Sequence, residues 1–175
     1  MKTEILLAAI LGASVAAHAD TPIQLSLTPD IAWYPRDTMV RGFALNIWGE
    51  NPQLSMNIGF INGSTGDSGG FSIGLVNYAA SYTGVQFGVV NVSTESFVGW
   101  QHAYVNIAQG TCNGFQWGLV NYAGAMRGFQ LGFVNYAEKL NGLQIGAINM
   151  AMNNPWFDQF PDKLATGFPI LNWSF

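Results

Sequence analysis

Large apolar residues alternate with small or polar ones in a segment that recurs along the chain. In the copy GFQLGFVNYA, which begins at Gly128, apolar side chains at the second, fourth and sixth positions flank Gln130 and Gly132. A period of two is typical of β-strands, in which successive side chains point to opposite faces. The pattern therefore predicts an all-β chain.

The copies follow one another at intervals of 14 or 15 residues, which predicts a repeat architecture. We expect an N-terminal strand and cap over 20–41, a repeat array over 42–152 and a capping or closing segment over 153–175. Six close copies and two looser ones make about eight units, which begin at Gly70, Gly84, Gly99, Gly114, Gly128 and Gly142 and, more loosely, at Gly42 and Ser55.

Two polar positions of the repeat are nearly constant. Identical amides stacked in register can hydrogen-bond from unit to unit as ladders. The eighth position is Asn in seven units, namely Asn62, Asn77, Asn91, Asn106, Asn121, Asn135 and Asn149. The third position is Gln in five units, namely Gln86, Gln101, Gln116, Gln130 and Gln144.

Two architectures can use such a unit. In a parallel β-solenoid, each unit is one coil that bends near its fifth residue, with Phe, Trp and Leu stacked inside and a Gln/Asn face available as a contact surface. The alternative is an antiparallel outer-membrane β-barrel of about ten strands, acting as a pore or anchor. Its closing strand would carry Trp173 and Phe175 at the C-terminus. Antiparallel pairing would place Asn opposite Leu repeatedly, which favours the solenoid.

The first 19 residues have the three parts of a secretory signal peptide. Lys2 precedes the apolar stretch Ile5–Ala16, and Ala17-His18-Ala19 forms an A-x-A cleavage site. We therefore expect an exported protein whose mature chain begins at Asp20.

Composition narrows the function classes. Charged residues make up 9 % of the chain, aromatic residues 14 %, and the net charge is −4. Disorder is excluded because disordered chains are charged and poor in aromatics. Nucleic acid is not expected as a partner, because proteins that bind nucleic acid carry basic stripes on their surface. The single cysteine, Cys112, is expected to be a small residue in a turn, or else to form an intermolecular bridge.

No constellation of acid, base or nucleophile stands out, so we expect a non-catalytic protein with no cofactor and no metal site. His102 is the only histidine after the predicted signal peptide, and it takes an apolar position of its repeat. We expect it to be packed or hydrogen-bonded. The segment 153–167 breaks the repeat, and its Trp156, Phe157 and Phe160 are expected to cover the last coil.

The repeat phrase, together with the segments PIQLSLTP, GFALNIWGEN and FPILNWSF, resembles the surface-repeat family of exported Gram-negative bacterial proteins, whose units vary on GLQLGLVNVA. The resemblance covers nearly the whole mature chain. It implies a location at the cell surface or outer membrane and a structural or interaction role, with the outer membrane or another envelope component as partner. Self-association is a further option. His102, Ala103 and Tyr104 depart from the family pattern, which puts the regularity of that unit in doubt.

Overall fold

The computed structural model describes residues 20–175, so the predicted signal peptide lies outside the described residues. The described part is all-β, as the alternation predicted. The strands are β1 (Thr21–Thr28), β2 (Ile31–Ala32), β3 (Val40–Asn51), β4 (Leu54–Ile73), β5 (Val76–Phe87), β6 (Val90–His102), β7 (Val105–Ala151) and β8 (Gly167–Ser174).

Successive units pair in parallel and in register. Asn77 of β5 lies beside Asn91 of β6, which lies beside Asn106 of β7, and the first glycines of these units align in the same way. The 47 residues of β7 wind on through further coils without interruption. The predicted β-solenoid is therefore confirmed, with about six turns. The alternative of an antiparallel barrel is wrong, because identical positions of neighbouring units pair with each other.

Each coil bends at its fifth position, as predicted: Gly74 and Gly88 lie between strands. The glycine at the first position lies within a strand but has a positive φ, which is +143° at Gly84. A Cβ at Gly84 would lie 2.0 Å from the carbonyl oxygen of Gly70 in the preceding coil, so glycine is required there.

The expectation that Phe, Trp and Leu stack inside the coil is wrong. In the coil around Gly128, Gln130 and Asn135 have no exposed surface, whereas the Phe133 side chain is 61 % exposed. A coil of 14 or 15 residues encloses a narrow interior. That interior accommodates amides, alanines and one larger side chain per turn, so the remaining large apolar residues point outward.

The larger interior side chains form one apolar column along the axis. Tyr82 and Phe97 stack with ring centroids 6.3 Å apart and nearly parallel planes. Cys112 lies in this column as a buried free thiol, not in a turn as predicted, and burial raises its pKa to about 12. The column consists of Tyr82, Phe97, Cys112, Met126 and Leu140, packed beside Ala79, Ala108, Ala123, Ala137 and Ala151.

Both ends of the solenoid are covered. At the N-terminal end, β2 pairs antiparallel with β1, and the side-chain amide of Gln24 donates to the backbone carbonyl of Tyr34 at 2.9 Å. At the C-terminal end, β8 pairs antiparallel with the last coil of β7. The chain before β8 covers β8 in turn, since Leu164 N–H donates to the carbonyl of Trp173 at 3.2 Å. Unpaired strand edges invite association with other strands, and these contacts occupy much of both edges.

The aromatic residues expected to cover the last coil do not do so. Trp156, Phe157 and Phe160 are all exposed. Leu164 and Ala165 are buried in their place. Backbone pairing with β8 decides the difference, because it draws these two small and medium side chains over the end of the interior.

Candidate functional site

Asparagines at the eighth position form a continuous buried column from Asn62 to Asn149. Each side-chain N–H donates to the side-chain oxygen of the next Asn over 2.8–3.0 Å. The same amide nitrogen also donates to a backbone carbonyl at the bend of the next coil, as Asn121 does to Leu131 at 3.0 Å. The column thus joins neighbouring coils both to each other and to their bends.

Glutamines at the third position form a second column whose hydrogen bonds run the opposite way along the axis. Gln101 donates to Gln86 at 3.1 Å, and the pairs Gln116–Gln101, Gln130–Gln116 and Gln144–Gln130 follow at 2.7–2.9 Å. All five side chains are buried. The expected Gln/Asn contact surface is therefore wrong: these amides hydrogen-bond inside the coil and are not available to a partner.

Within the repeat array, the most exposed apolar side chains lie at the outer edge of the fifth-position bend, at the sixth position. Tyr104 is 63 % and Leu119 is 56 % exposed. The parallel register aligns these residues along the solenoid, and the antiparallel pairing of β8 adds Ile170 beside Gly146. We call this row the apolar ridge; its members are Leu27, Ile47, Phe60, Leu75, Val89, Tyr104, Leu119, Phe133 and Ile170.

The outward positions on either side of the apolar ridge carry no charge. Between Phe43 and Ile148, the second, fourth, sixth and seventh positions of the eight units are aliphatic or aromatic hydrophobic residues except for His102. His102 is half-buried on the outer face, with its ring centroid 5.5 Å from that of Phe87 and 4.5 Å from that of Trp117. It is packed against aromatic rings, and its Nδ1 has no hydrogen-bond partner.

Apart from Glu50 at the ninth position of its unit, the charged residues of the array project from the stretch that follows the tenth position, away from the apolar ridge. The coil therefore has an apolar outer edge and a polar one. The exposed charged residues of this polar edge are Asp67, Glu95, Arg127, Glu138 and Lys139.

A small polar network lies near the N-terminal end. The guanidinium of Arg36 donates to the carboxylate of Glu50 at 2.6 Å, and the hydroxyl of Tyr78 donates to the same carboxylate. Burial alone would raise the pKa of Glu50, but these two hydrogen bonds outweigh it and lower the pKa. Burial and the bond to Glu50 raise the pKa of Tyr78 to about 12. The network holds β3 against β5 and the N-terminal cap.

The predicted C-terminal closing residues separate in the structure. Trp173 is half-buried, and its indole N–H donates to the carbonyl of Pro161 at 2.7 Å. Phe175 is exposed, and only its backbone N–H is engaged, by the carbonyl of Asp162 at 3.1 Å.

No protein-family model, curated protein or solved structure matches this chain. Residues 20–175 contain no cluster of three or more His, Cys, Asp or Glu side chains placed to hold a metal ion. Over the same residues, no helix is long and apolar enough to span a membrane.

Sequence reasoning did not identify the apolar ridge, because strict alternation does not say which face of a strand is buried. One signal could have done so. The tenth position, which shares a strand face with the eighth-position Asn, is Ala in five of the six close copies and Ser in the other. A column of such small side chains is typical of a confined interior, and it would have placed the amides inside.

Proposed function

We propose that this protein is a non-catalytic interaction module that lies on the lipid surface of a bacterial outer membrane and contacts the lipid through its apolar ridge. The observation that carries the proposal is the ridge itself, with its row of exposed apolar side chains along the whole solenoid. In water such a row is unfavourable, so it calls for an apolar partner.

The size of the apolar surface supports a partner rather than chance exposure. From β1 to β8 the apolar ridge crosses ten strand segments, the coil of Ala147 included, and nine steps of ~4.8 Å give it a length of about 43 Å. The second to seventh positions of one coil add a width of ~17 Å at ~3.3 Å per residue. The product, about 700 Å² before side-chain relief, exceeds the ~300–600 Å² that is usual for the largest apolar patch of a monomer.

The distribution of charge supports a lipid surface rather than a charged macromolecule. No Lys or Arg occurs at the outward positions around the apolar ridge, so attraction to anionic headgroups does not drive the contact. The polar edge, with Glu95 and Arg127 among its members, projects away from the apolar ridge and can remain in water. This separation is what an element lying in the interface requires.

The envelope location and the bacterial family rest on the sequence. The signal-peptide pattern of residues 1–19 supports export, and the repeat phrase supports membership of the Gram-negative surface-repeat family. The scarcity of acid and base groups supports a non-catalytic role, since the carboxylates of the array other than Glu50 lie on the exposed polar edge and His102 is packed among aromatic rings.

The test is flotation with vesicles of phosphatidylethanolamine and phosphatidylglycerol. We expect the double variant Leu119→Asp/Phe133→Asp to lower the partition coefficient by at least roughly ten-fold, because burying one such side chain contributes ~1.5–3 kcal/mol. Raising salt from about 0.1 M to 0.5 M should change binding by less than about two-fold, since screening acts only on charge.

The matched control is Asn113→Asp/Asn141→Asp, which adds the same two negative charges away from the apolar ridge. These two residues directly precede Gly114 and Gly142, the first residues of their units. The control variant should bind vesicles within about two-fold of the original protein. Equal loss in both double variants, or no binding by the unaltered protein, would contradict the proposal. Fractionation of envelopes tests the location separately, because the protein should co-purify with outer membranes.

A further inference from the structure

We infer that the groove beside the N-terminal part of the apolar ridge is a binding site for one hydrocarbon chain of a membrane lipid. This inference rests on the proposed function, because the ridge would bring the groove to the lipid. The groove forms a cavity of about 740 Å³, within the range of ligand pockets, which is about 300–1,000 Å³.

The repeat geometry makes the groove straight. Side chains at the fourth position form one wall and ridge residues at the sixth position form the other, while the residue between them points inward and leaves backbone as the floor. Leu45 and Ile47 of β3 illustrate the two walls, and Gly59 of β4 illustrates the floor. Because the parallel register repeats this arrangement in each coil, the trough follows the solenoid axis.

The N-terminal hairpin deepens this part of the trough. β2 pairs with β1 through Ser26 and Ala32, and the N–H of Trp33 donates to the carbonyl of Leu25 at 3.0 Å. The hairpin holds the side chains of Ile31 and Trp33 at the end of the groove. With Ile73 at the C-terminal end of β4 closing the other end, the cavity spans five strand segments (β2, β1, β3 and two coils of β4), or ~19 Å at a spacing of ~4.8 Å. A second cavity of about 380 Å³ lies further along the same positions, beside His102 and Trp117.

The chemistry of the lining favours a hydrocarbon chain over a peptide. The walls are aliphatic and aromatic, and the residues that line the groove include no charged side chain. The backbones of β1, β3 and β4 are paired with each other along the groove. A peptide lying there would bury N–H and carbonyl groups against carbon, which is costly, whereas a methylene chain has no such groups.

The same lining favours a chain that belongs to a membrane lipid over a free fatty acid. No Lys or Arg lines the groove to pair with a free carboxylate. Leu27, Ile47 and Phe60 are members of the apolar ridge and also line the groove, so its opening lies on the proposed membrane contact. A chain can thus enter from the bilayer while its headgroup stays at the interface.

The test uses lysophosphatidylcholine brominated on its acyl chain, below its micelle concentration and without vesicles. Bromine quenches the fluorescence of nearby indoles, so we expect saturable quenching of tryptophan fluorescence that is lost in Trp33→Phe. Native mass spectrometry should show one lipid bound per protein chain. Ile58→Asp in the wall should weaken binding at least roughly ten-fold, as should Ile31→Asp, whose side chain is exposed and whose substitution leaves the coil packed.

The matched control is Ile145→Asp, at the same fourth position in a coil far from the groove, which should bind within about two-fold of the original protein. Absence of Trp33-dependent quenching, or equal weakening by Ile145→Asp, would overturn the site. Palmitate is the second ligand to be tested. If the protein bound palmitate roughly ten-fold or more tightly than lysophosphatidylcholine, the assignment to a membrane lipid would be overturned. Vesicle flotation of the unaltered protein separates the two proposals. Normal flotation without Trp33-dependent lysolipid quenching would reject the groove alone, whereas absence of flotation would reject the membrane contact.

Discussion

Two regions of one coil show opposite relations between polarity and burial. Asn121 belongs to the buried amide columns and has no exposed surface, whereas Leu119, two residues earlier, is 56 % exposed on the apolar ridge. Globular domains usually bury leucine and expose asparagine. Here the amides are satisfied along the axis by their own copies, so their burial is not penalised. Interior width and hydrogen-bond geometry, rather than hydropathy, therefore decide which side chains fill a narrow coil.

An apolar side chain should not be able to replace an interior amide without a large loss of stability. We expect Asn121→Leu to lower the free energy of unfolding by about 4 kcal/mol, because it leaves the Asn135 side-chain oxygen and the Leu131 carbonyl short of a donor and the Asn106 amide short of an acceptor, at ~1–3 kcal/mol for each buried group. Urea unfolding measures it. Lys139→Ala, exposed on the polar edge, should stay within ~0.5 kcal/mol, and equal unfolding of both variants would refute the column.

The apolar interior column provides the second test. Met126 has no exposed surface, so Met126→Ala should cost about 3 kcal/mol through lost contacts and a residual cavity. Leu119→Ala, a comparable truncation on the apolar ridge, should cost less than ~1 kcal/mol. The two variants are compared by urea unfolding. A similar loss for both would mean that the ridge is packed against something in the folded chain.

The pH dependence of stability sharpens the same contrast through Cys112. Burial raises its thiol pKa in the folded state to about 12, against ~8.5 in an unfolded chain. Its contribution is therefore fully present below pH ~8.5 and is lost as pH rises toward the folded value, at up to ~1.4 kcal/mol per pH unit. We expect a loss of about 2 kcal/mol between pH ~8 and pH ~10 that Cys112→Ala removes. If the free energy of unfolding fell with pH at the same slope in the original protein and in Cys112→Ala, the thiol would have to be exposed to solvent.

The smallest expected effect is the most informative about the apolar ridge. Leu119→Asp should change the free energy of unfolding by no more than ~0.5 kcal/mol, because the side chain already faces solvent. Thermal melting monitored by circular dichroism is sufficient to measure it. A loss above ~2 kcal/mol would show that the ridge supports the fold rather than a partner.

Much of the architecture could be predicted from the repeat alone. Alternation predicted strands, and the recurrence of Asn at one position favoured parallel pairing, which the alignment of Asn77, Asn91 and Asn106 bears out. The position of Cys112 and the role of Trp156 could not be predicted in this way. The first depends on which face of its strand turns inward, and the second on a backbone pairing between 162–164 and β8 that has no periodic signal.

The sequence by itself determined the all-β repeat and its 14–15-residue unit, because these follow from side-chain period and recurrence, and the identity of the repeated Asn favoured parallel pairing over the antiparallel barrel, which the structure then confirmed. Only the tertiary structure decided which face is the inside. Both faces of the strand carry a regular pattern, and closing the coil selects the face whose side chains fit the enclosed space and can hydrogen-bond along the axis. That selection buried Gln130 and Asn135 and left Phe133 on the outside.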